Sequence, residues 1–248
     1  MPNLALLQSL LPHTPIQAPE ETASTNLDAR QWLQAGAAHG SLVAADRQTA
    51  GRGRLGRSFA SADGGLYMSV VIKSDLPAGV LTTLCAVAVR RAIRGLTGKE
   101  AGIKWVNDLQ LDGKKICGIL CEGVWQGDRL LGVIAGIGLN ICQREFPEEL
   151  RDIAASLYPD GQSPVESAQF CAAIWQEIFT LLPQAPGHME EYRKACVTLG
   201  QRVYWENAAG RHAGAARDVD DTGALIIDTS EGPVTLAAGE VSVRPFSD

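Results

Sequence analysis

Apolar and polar residues along this chain follow two periods, one suited to strands and one to helices. Leu42 to Ala45 reads as a short strand, and Leu66-Tyr67-Met68-Ser69-Val70-Val71-Ile72 as a longer one. Ahead of them, Ser24-Thr25-Asn26 offers capping residues for a helix with Leu27, Trp32 and Leu33 on its apolar side and Gly36 as its stop. After Pro77 the alanine-rich stretch Val80–Leu96 has helical spacing, closed by Gly98. Ile103 to Trp105 begins a further strand, and Asp112-Gly113 predicts a hairpin turn. Ile116–Val124 and Leu131–Ile141 are expected to pair antiparallel about a turn at Gln126-Gly127-Asp128. Helical patterns return at Ser167–Leu182 and His188–Cys196.

From Gly200 the texture changes. Short strands separated by turns follow at Arg202–Glu206, Gly214–Val219, Ala224–Asp228, Val234–Leu236 and Val241–Arg244, which predict a small closed β-barrel. Residues 1–20 form a proline-punctuated lead-in, too short for a domain. The expected organisation is an α+β domain over residues 21–197 followed by the barrel over 198–248, with no internal repeat.

Composition narrows the class. A chain of 248 residues holds one or two domains and buries a sizeable core without disulfides or metals. A hydrophobic share of 46% with 20% charged residues is ordinary for a globular protein and excludes disorder, collagen and coiled coil as the main state. Lys and Arg number 22 against 28 Asp and Glu, a net charge of −6. The chain as a whole therefore does not attract nucleic acid or anionic membrane, and any bound anion needs a local basic cluster. The six cysteines never form a CxxC pair and have no paired histidine nearby, so no metal site is expected. Cys117 and Cys121 read as small core hydrophobes. The N-terminus lacks a basic residue before its short apolar stretch, and no apolar run reaches the ~18 residues of a membrane span. A reduced cytoplasm is the expected location.

Four clusters carry candidate chemistry. Gly51-Arg52-Gly53-Arg54-Leu55-Gly56-Arg57 sets three arginines among three glycines. Glycine lets backbone approach a ligand closely, and arginine offers a planar fork for phosphate or carboxylate. The loop suits a lid over a polyanion; a solvated RNA-binding segment or a basic surface loop remains open. It is no Walker loop, because Gly-Lys-Ser/Thr is absent. Lys104-Trp105-Val106-Asn107-Asp108-Leu109 packs Lys, Asn and Asp at a strand end, either to bind something or as an Asx turn. Lys115 leads the apolar strand Ile116-Cys117-Gly118-Ile119-Leu120-Cys121, either as a snorkelling edge residue or pointing into the arginines' cleft. Gly136-Ile137-Gly138-Leu139-Asn140 puts two glycines in a strand, for close approach of a ligand or of another backbone, or for a bulge.

Taken together and in order, these clusters resemble the biotin–protein ligase (holocarboxylase synthetase) family. Gly51 to Arg57 match the family's GRGRxGR loop, and Lys104 to Leu109 its KWPNDL segment, with Val106 in place of proline. Lys115 matches the lysine before its GIL, and Gly136, Gly138 and Asn140 its GxGxN strand. Ser24-Thr25-Asn26, Gln48 and the stretch Gly239–Arg244 also fit, so the resemblance runs from about Glu20 to Arg244. Fewer than twenty-five residues precede Ser24. That is too few for the helix-turn-helix module of the family's repressor members, so a ligase without DNA binding is expected.

The resemblance implies a mixed or antiparallel sheet with flanking helices, class II synthetase-like, followed by an SH3-like β-barrel. It implies ATP-dependent formation of biotinyl-5′-AMP and transfer of biotin to a lysine of a biotin carboxyl carrier protein, with Mg²⁺ accompanying ATP. Lys115, Arg52, Arg54 and Asp108 are the implied catalytic residues, with Asp108 orienting or deprotonating the incoming amine. Ser24, Thr25, Asn26, Gln48, Gly51, Arg52, Lys115, Gly118, Gly136 and Gly138 are the implied biotin contacts. Arg54, Arg57, Lys104, Trp105, Asn107, Asp108, Asn140 and Arg244, with Glu240 beside it, are implied on the nucleotide side. A homodimer is left open. The rival readings are a lipoate–protein ligase or octanoyltransferase, similar in fold, and an RNA-binding module.

Overall fold

The longest apolar runs of the chain form the centre of a seven-stranded sheet. The structure, a computed structural model, describes residues 3–207, 210–237 and 244–245, the last two through their backbone. In chain order it begins with α1 (Leu4–Leu10), β1 (Ile16–Gln17), β2 (Glu21–Thr22), α2 (Thr25–Gln34), β3 (Leu42–Ala45), β4 (Arg47–Gln48) and β5 (Gly65–Ile72). It continues with α3 (Ala78–Thr97), β6 (Gly102–Lys104), β7 (Asp108–Leu111), β8 (Lys114–Gln126) and β9 (Arg129–Asn140). Two helices, α4 (Ser167–Leu181) and α5 (Met189–Ala195), precede β10 (Arg202–Asn207), β11 (Gly210–Val219), β12 (Leu225–Thr229), β13 (Gly232–Leu236) and β14 (Arg244–Pro245).

The large sheet runs β1-β3-β5-β9-β8-β7-β6. Only the β1–β3 pair among these neighbours is parallel, so the sheet is mixed but mainly antiparallel, as the resemblance implied. The predicted turns fall in place: Asp112 and Gly113 take φ of 51° and 78°, the left-handed pair that a two-residue hairpin demands. Gly98, at φ 70°, ends α3.

Alternation along the strands sorts side chains between two faces. Leu66, Met68, Val70 and Ile72 of β5 and Val133, Ala135, Ile137 and Leu139 of β9 enter the main core. That core is closed by α3 and α4. The opposite face carries α2, whose Ala29 and Leu33 pack with Val43, Val71 and Ile134. The buried stripe of α2 is Thr25, Asn26, Ala29 and Leu33; Leu27 and Trp32, expected on its apolar side, are only half-buried. On this second face Gly118, Leu120, Gly136 and Gly138 form the floor of a cleft, and Ser69, paired with Gly136, is buried beside it.

Whether residues 1–20 dock was open in the sequence, and the described part of the segment, residues 3–20, does. Leu7 and Leu11 are buried in the main core, and β1 pairs with β3 at the sheet edge. The C-terminal strands form a five-stranded antiparallel sheet, β13-β12-β11-β10-β14, consistent with an SH3-like module. Its apolar residues Val203, Trp205, Ala216, Leu225 and Ile227 join the main core in one continuous cluster. The predicted fifth strand, Val241–Arg244, lies largely outside the described residues; Arg244 pairs with Tyr204 in β14. No described helix is long and apolar enough to cross a membrane.

Candidate active site

A β-bulge decides where Lys115 points. Leu109 pairs with Cys117 but Gln110 pairs with Lys115, so Ile116 is the extra residue. The bulge shifts the alternation by one, turning Ile116 into the core and Lys115 onto the cleft face with Gly118. The strand is held there by the 148–155 segment: Lys115 N donates to Ile153 O at 2.8 Å, and Ala155 N to Lys115 O at 2.9 Å. Asp108 pairs in register with Gly118, so its carboxylate meets Lys115 across the cleft, with Nζ to Oδ1 at 2.7 Å.

The cleft is a cavity of about 900 Å³, at the upper end of the ~300–1,000 Å³ usual for a small-molecule site. Three cationic loop side chains, Arg52, Arg54 and Arg57, line it with Lys104 and Lys115; Asp108 and Asp152 are its carboxylates. The arginine loop is a tight excursion whose neck is the Arg52–Ser58 bridge. Phe59 N donates to Gly51 O at 2.9 Å, closing that neck. Gly51 itself does not line the cavity; a Cβ there would lie 2.5 Å from Phe59 O and 2.4 Å from Ser61 Oγ. Its glycine serves the loop and not a ligand.

Arg54 folds inward. Its Nη1 donates to Asn107 Oδ1 at 2.9 Å, and its Nη2 is buried without a hydrogen-bond partner. Burial lowers the guanidinium's pKa below its ordinary value, but an arginine keeps its charge. Asn107 is fixed in turn, donating to Ile119 O at 3.0 Å and Asp108 Oδ1 at 3.1 Å.

At the other end of the cavity the lining is neutral and hydrogen-bonding. The start of α2 is capped by Gln48 and not by Ser24: Thr25 N donates to Gln48 Oε1 at 2.9 Å. Ser24 is the N-cap residue but makes no side-chain cap bond. The glycines beneath are small for reasons internal to the chain. A Cβ on Gly136 would fall 2.0 Å from Asn26 Oδ1, and one on Gly138 2.5 Å from the Phe59 ring. Gly118 is likewise covered by Phe59, at 2.8 Å.

Several expected residues sit differently. Asn140 does not line the cavity; it is buried, donating to Ala155 O at 3.0 Å and accepting from Gln143 at 3.2 Å. It closes the end of β9, so the nucleotide contact expected of it is not supported. Trp105 lines the cavity but is buried, with Nε1 donating to Gly223 O at 2.9 Å and N to Thr198 Oγ1 at 2.9 Å. It joins the cleft to the C-terminal sheet. The Trp105–Val106 peptide is cis. The Arg244 side chain and Glu240 lie outside the described residues. The reading of the sequence missed Phe59, whose ring roofs Gly118 and Gly138 with the Lys115 ammonium 5.5 Å from its centroid. An aromatic two residues beyond the arginine loop was its only signal.

Residues 18–140 match the Biotin/lipoate A/B protein ligase family, and residues 198–244 the Biotin protein ligase C terminal domain. The chain is 33% identical to the Biotin--[acetyl-CoA-carboxylase] ligase of Mycobacterium tuberculosis over 89% of its own length and 86% of the relative's. This chain belongs to the biotin–protein ligase family. The ligase is also 33% identical to the Bifunctional ligase/repressor BirA of Bacillus subtilis, over 89% of this chain and 71% of that one. Its fold is similar to the biotin protein ligase from Aquifex aeolicus in complex with biotin and ATP. That match has a TM-score of 0.82 at 28% identity and covers 94% of this chain and 99% of the other. The ligase from Leishmania major in complex with biotinyl-5-AMP gives a TM-score of 0.64 at 26% identity over 94% of this chain and 99% of that one.

Proposed function

We propose that this ligase activates biotin with MgATP as biotinyl-5′-AMP and then passes biotin to a lysine of a biotin carboxyl carrier protein. The observation that carries the reading is that one cavity has a neutral hydrogen-bonding end at Thr25 and Gln48 and a cationic end at Lys115 and the loop arginines. A ureido ring suits the first end and a triphosphate the second.

A carboxylate is a poor electrophile, so amide formation needs activation. In the first step a biotin carboxylate oxygen attacks the α-phosphorus, and the bond to pyrophosphate breaks. Negative charge gathers on the phosphoryl oxygens, where cations held in place beforehand contribute most. Lys115 takes this role because the bulge aims it into the cleft and Asp108 holds its ammonium. The buried Nη2 of Arg54 lacks an acceptor, and a phosphate or carboxylate oxygen supplies one. Arg52 and Arg57 close the loop over the product, which excludes water from a hydrolysable acyl-phosphate.

In the second step the carrier's lysine amine attacks the acyl carbon and AMP leaves. That amine, with a pKa of ~10.4 in water, must first lose a proton. In this reading Asp108 orients that amine and takes the proton. Mg²⁺ would travel with ATP as part of the substrate, and Asp108 and Asp152, which line the cavity, are the carboxylates that would be available to it. The two-domain division near residue 197 and a cytoplasmic setting belong to the same reading. Incubation of the protein with biotin, MgATP and a purified carrier domain tests it. Intact-mass spectrometry should show one biotin added to a carrier lysine, and an unmodified carrier would contradict the second step.

A further inference from the structure

A chain of hydrogen bonds runs beneath the neutral end of the cavity to a carboxylate outside it. Asn26 Nδ2 donates to Glu122 Oε2 at 2.9 Å, and Arg30 pairs with Glu122 Oε1 at 3.7 Å. Ser69 Oγ lies 2.6 Å from Asn26 Oδ1 and 2.8 Å from Thr25 Oγ1. Asn26, Thr25 and Ser69 are all buried. Glu122 is on β8 and reaches Asn26 because Leu120 and Glu122 share the cleft face with Gly118, but it does not itself line the cavity.

The chemistry of each group fixes the direction of every bond. An ionised carboxylate has acceptors only, so the Asn26 amide must turn its NH₂ to Glu122 and its oxygen to Ser69. That oxygen can only accept, so the single Ser69 proton is committed to it. Thr25 then faces an oxygen with no proton to give. From the other side, Ser61 donates to Phe59 O at 2.9 Å and so accepts from Gln48 Nε2 at 2.9 Å, which turns Gln48 Oε1 toward Thr25 at 3.1 Å. Both neighbours of the Thr25 hydroxyl are acceptors. Its proton is therefore drawn into the protein and its lone pair is left for the cavity.

We infer that Glu122 is a positioning residue that sets the polarity of this relay, so that Thr25 presents an acceptor to an N–H group of the substrate ring. The inference rests on the proposed biotin site. A glutamine at 122 keeps the shape but carries a donor, so Asn26 is free to flip. Ser69 then turns its proton to Thr25, whose own proton stays with Gln48 Oε1, so the bond from Ser69 takes up a Thr25 lone pair and weakens the acceptor offered to the substrate N–H.

Isothermal titration of biotin and steady-state kinetics on Glu122→Gln test the relay. Biotin Kd and KM should rise about tenfold, the worth of one hydrogen bond. The kcat at saturating biotin and the KM for MgATP should stay within about twofold. Ser69→Ala, which removes the proton in the middle of the relay, should cost a similar factor, and the double variant no more than Ser69→Ala alone. Glu122→Asp, again a pure acceptor, should recover part of the loss. An unchanged biotin Kd in Glu122→Gln, or losses that multiply in the double variant, would overturn the relay. So would a parallel loss for biotin and MgATP together with kcat, the mark of a general structural role. A wild-type protein that binds no biotin would overturn the parent reading and the relay together, which separates that failure from the others.

Discussion

Gly136 and Gly138 sit two apart on one strand face, yet replacing each by alanine should have opposite consequences. At Gly136 the new methyl lands 2.0 Å from Asn26 Oδ1, and Asn26 is anchored at both ends, to Ser69 at 2.6 Å and Glu122 at 2.9 Å. The amide has nowhere to go within the buried α2–β9 contact. Gly136→Ala therefore breaks one neutral hydrogen bond, worth about 1 kcal/mol, and one to a charged group, worth roughly 1.5–3 kcal/mol. Glu122, partly exposed, regains water and offsets some of this. A net loss of about 2–3 kcal/mol follows, or roughly 5–10 °C in Tm for a chain of this size. At Gly138 the clash is with the Phe59 ring at 2.5 Å, and Phe59 is half-buried on a loop that can swing into the open cavity. Gly138→Ala should cost under about 1 kcal/mol in stability, within the range of tolerated substitutions. It should instead impair activity, because the displaced ring occupies the cavity. Thermal melts and urea titrations of the two variants beside wild type measure the difference. Equal destabilisation, or a larger loss at Gly138, would refute the assignment of the two glycines to two different side chains.

Lys115→Ala should lower the rate of adenylate formation at least a hundredfold, while biotin Kd rises less than about fivefold; an equal loss in both would make Lys115 a binding residue only. The arginine loop, with Leu55 exposed at φ 56°, should be cut by trypsin after Arg52 or Arg57 in the free protein and be protected once biotin and MgATP are present. Cleavage that ignores saturating ligands would remove the lid from the mechanism. His188 is buried with Nε2 2.9 Å from Thr83 Oγ1 and Nδ1 without a partner. Desolvation pulls its pKa down to about 4, with Asp221 opposing the shift and Arg193 and Arg91 adding to it by smaller amounts. The unfolded chain takes up this proton below pH ~6.5 and the folded one only near 4, so this contribution is complete above ~6.5. As the pH falls from ~6.5 toward 4 it should be lost, by at most about 3 kcal/mol. His188→Gln should flatten the stability slope in that window, and an unchanged slope would contradict the burial of a neutral imidazole.

Much of this architecture was legible because its signals are local. The apolar, β-branched-rich runs of β5, β8 and β9 and the Asp112-Gly113 turn need only their own neighbours to be read, and the arginine loop announces its chemistry in seven residues. What depends on distant partners was not. Lys115 faces the cleft because of an extra residue whose register is set by β7, and no spacing within β8 reveals it. Gly136 looked like room for a ligand, whereas the room is taken by Asn26 from a helix over a hundred residues away. Asn140 was drawn to the nucleotide by the company it keeps in the sequence. In the fold it is spent on Ala155 and Gln143, whereas Trp105 lines the cavity and also bonds Gly223 of the C-terminal region. Residues 4–17 lack a length of pattern sufficient to predict docking, yet Leu7 and Leu11 complete the core beside α4.

The central claim is that the cationic and neutral ends of one cavity join an acid to a nucleotide. ATP–pyrophosphate exchange with purified protein and Mg²⁺, in the presence of biotin, lipoate, octanoate or no added acid, tests it most directly. Exchange that depends on biotin, and is absent with the other acids, is the predicted result. Exchange with lipoate in place of biotin, or none with any acid from protein that is folded by its melting curve, would contradict it.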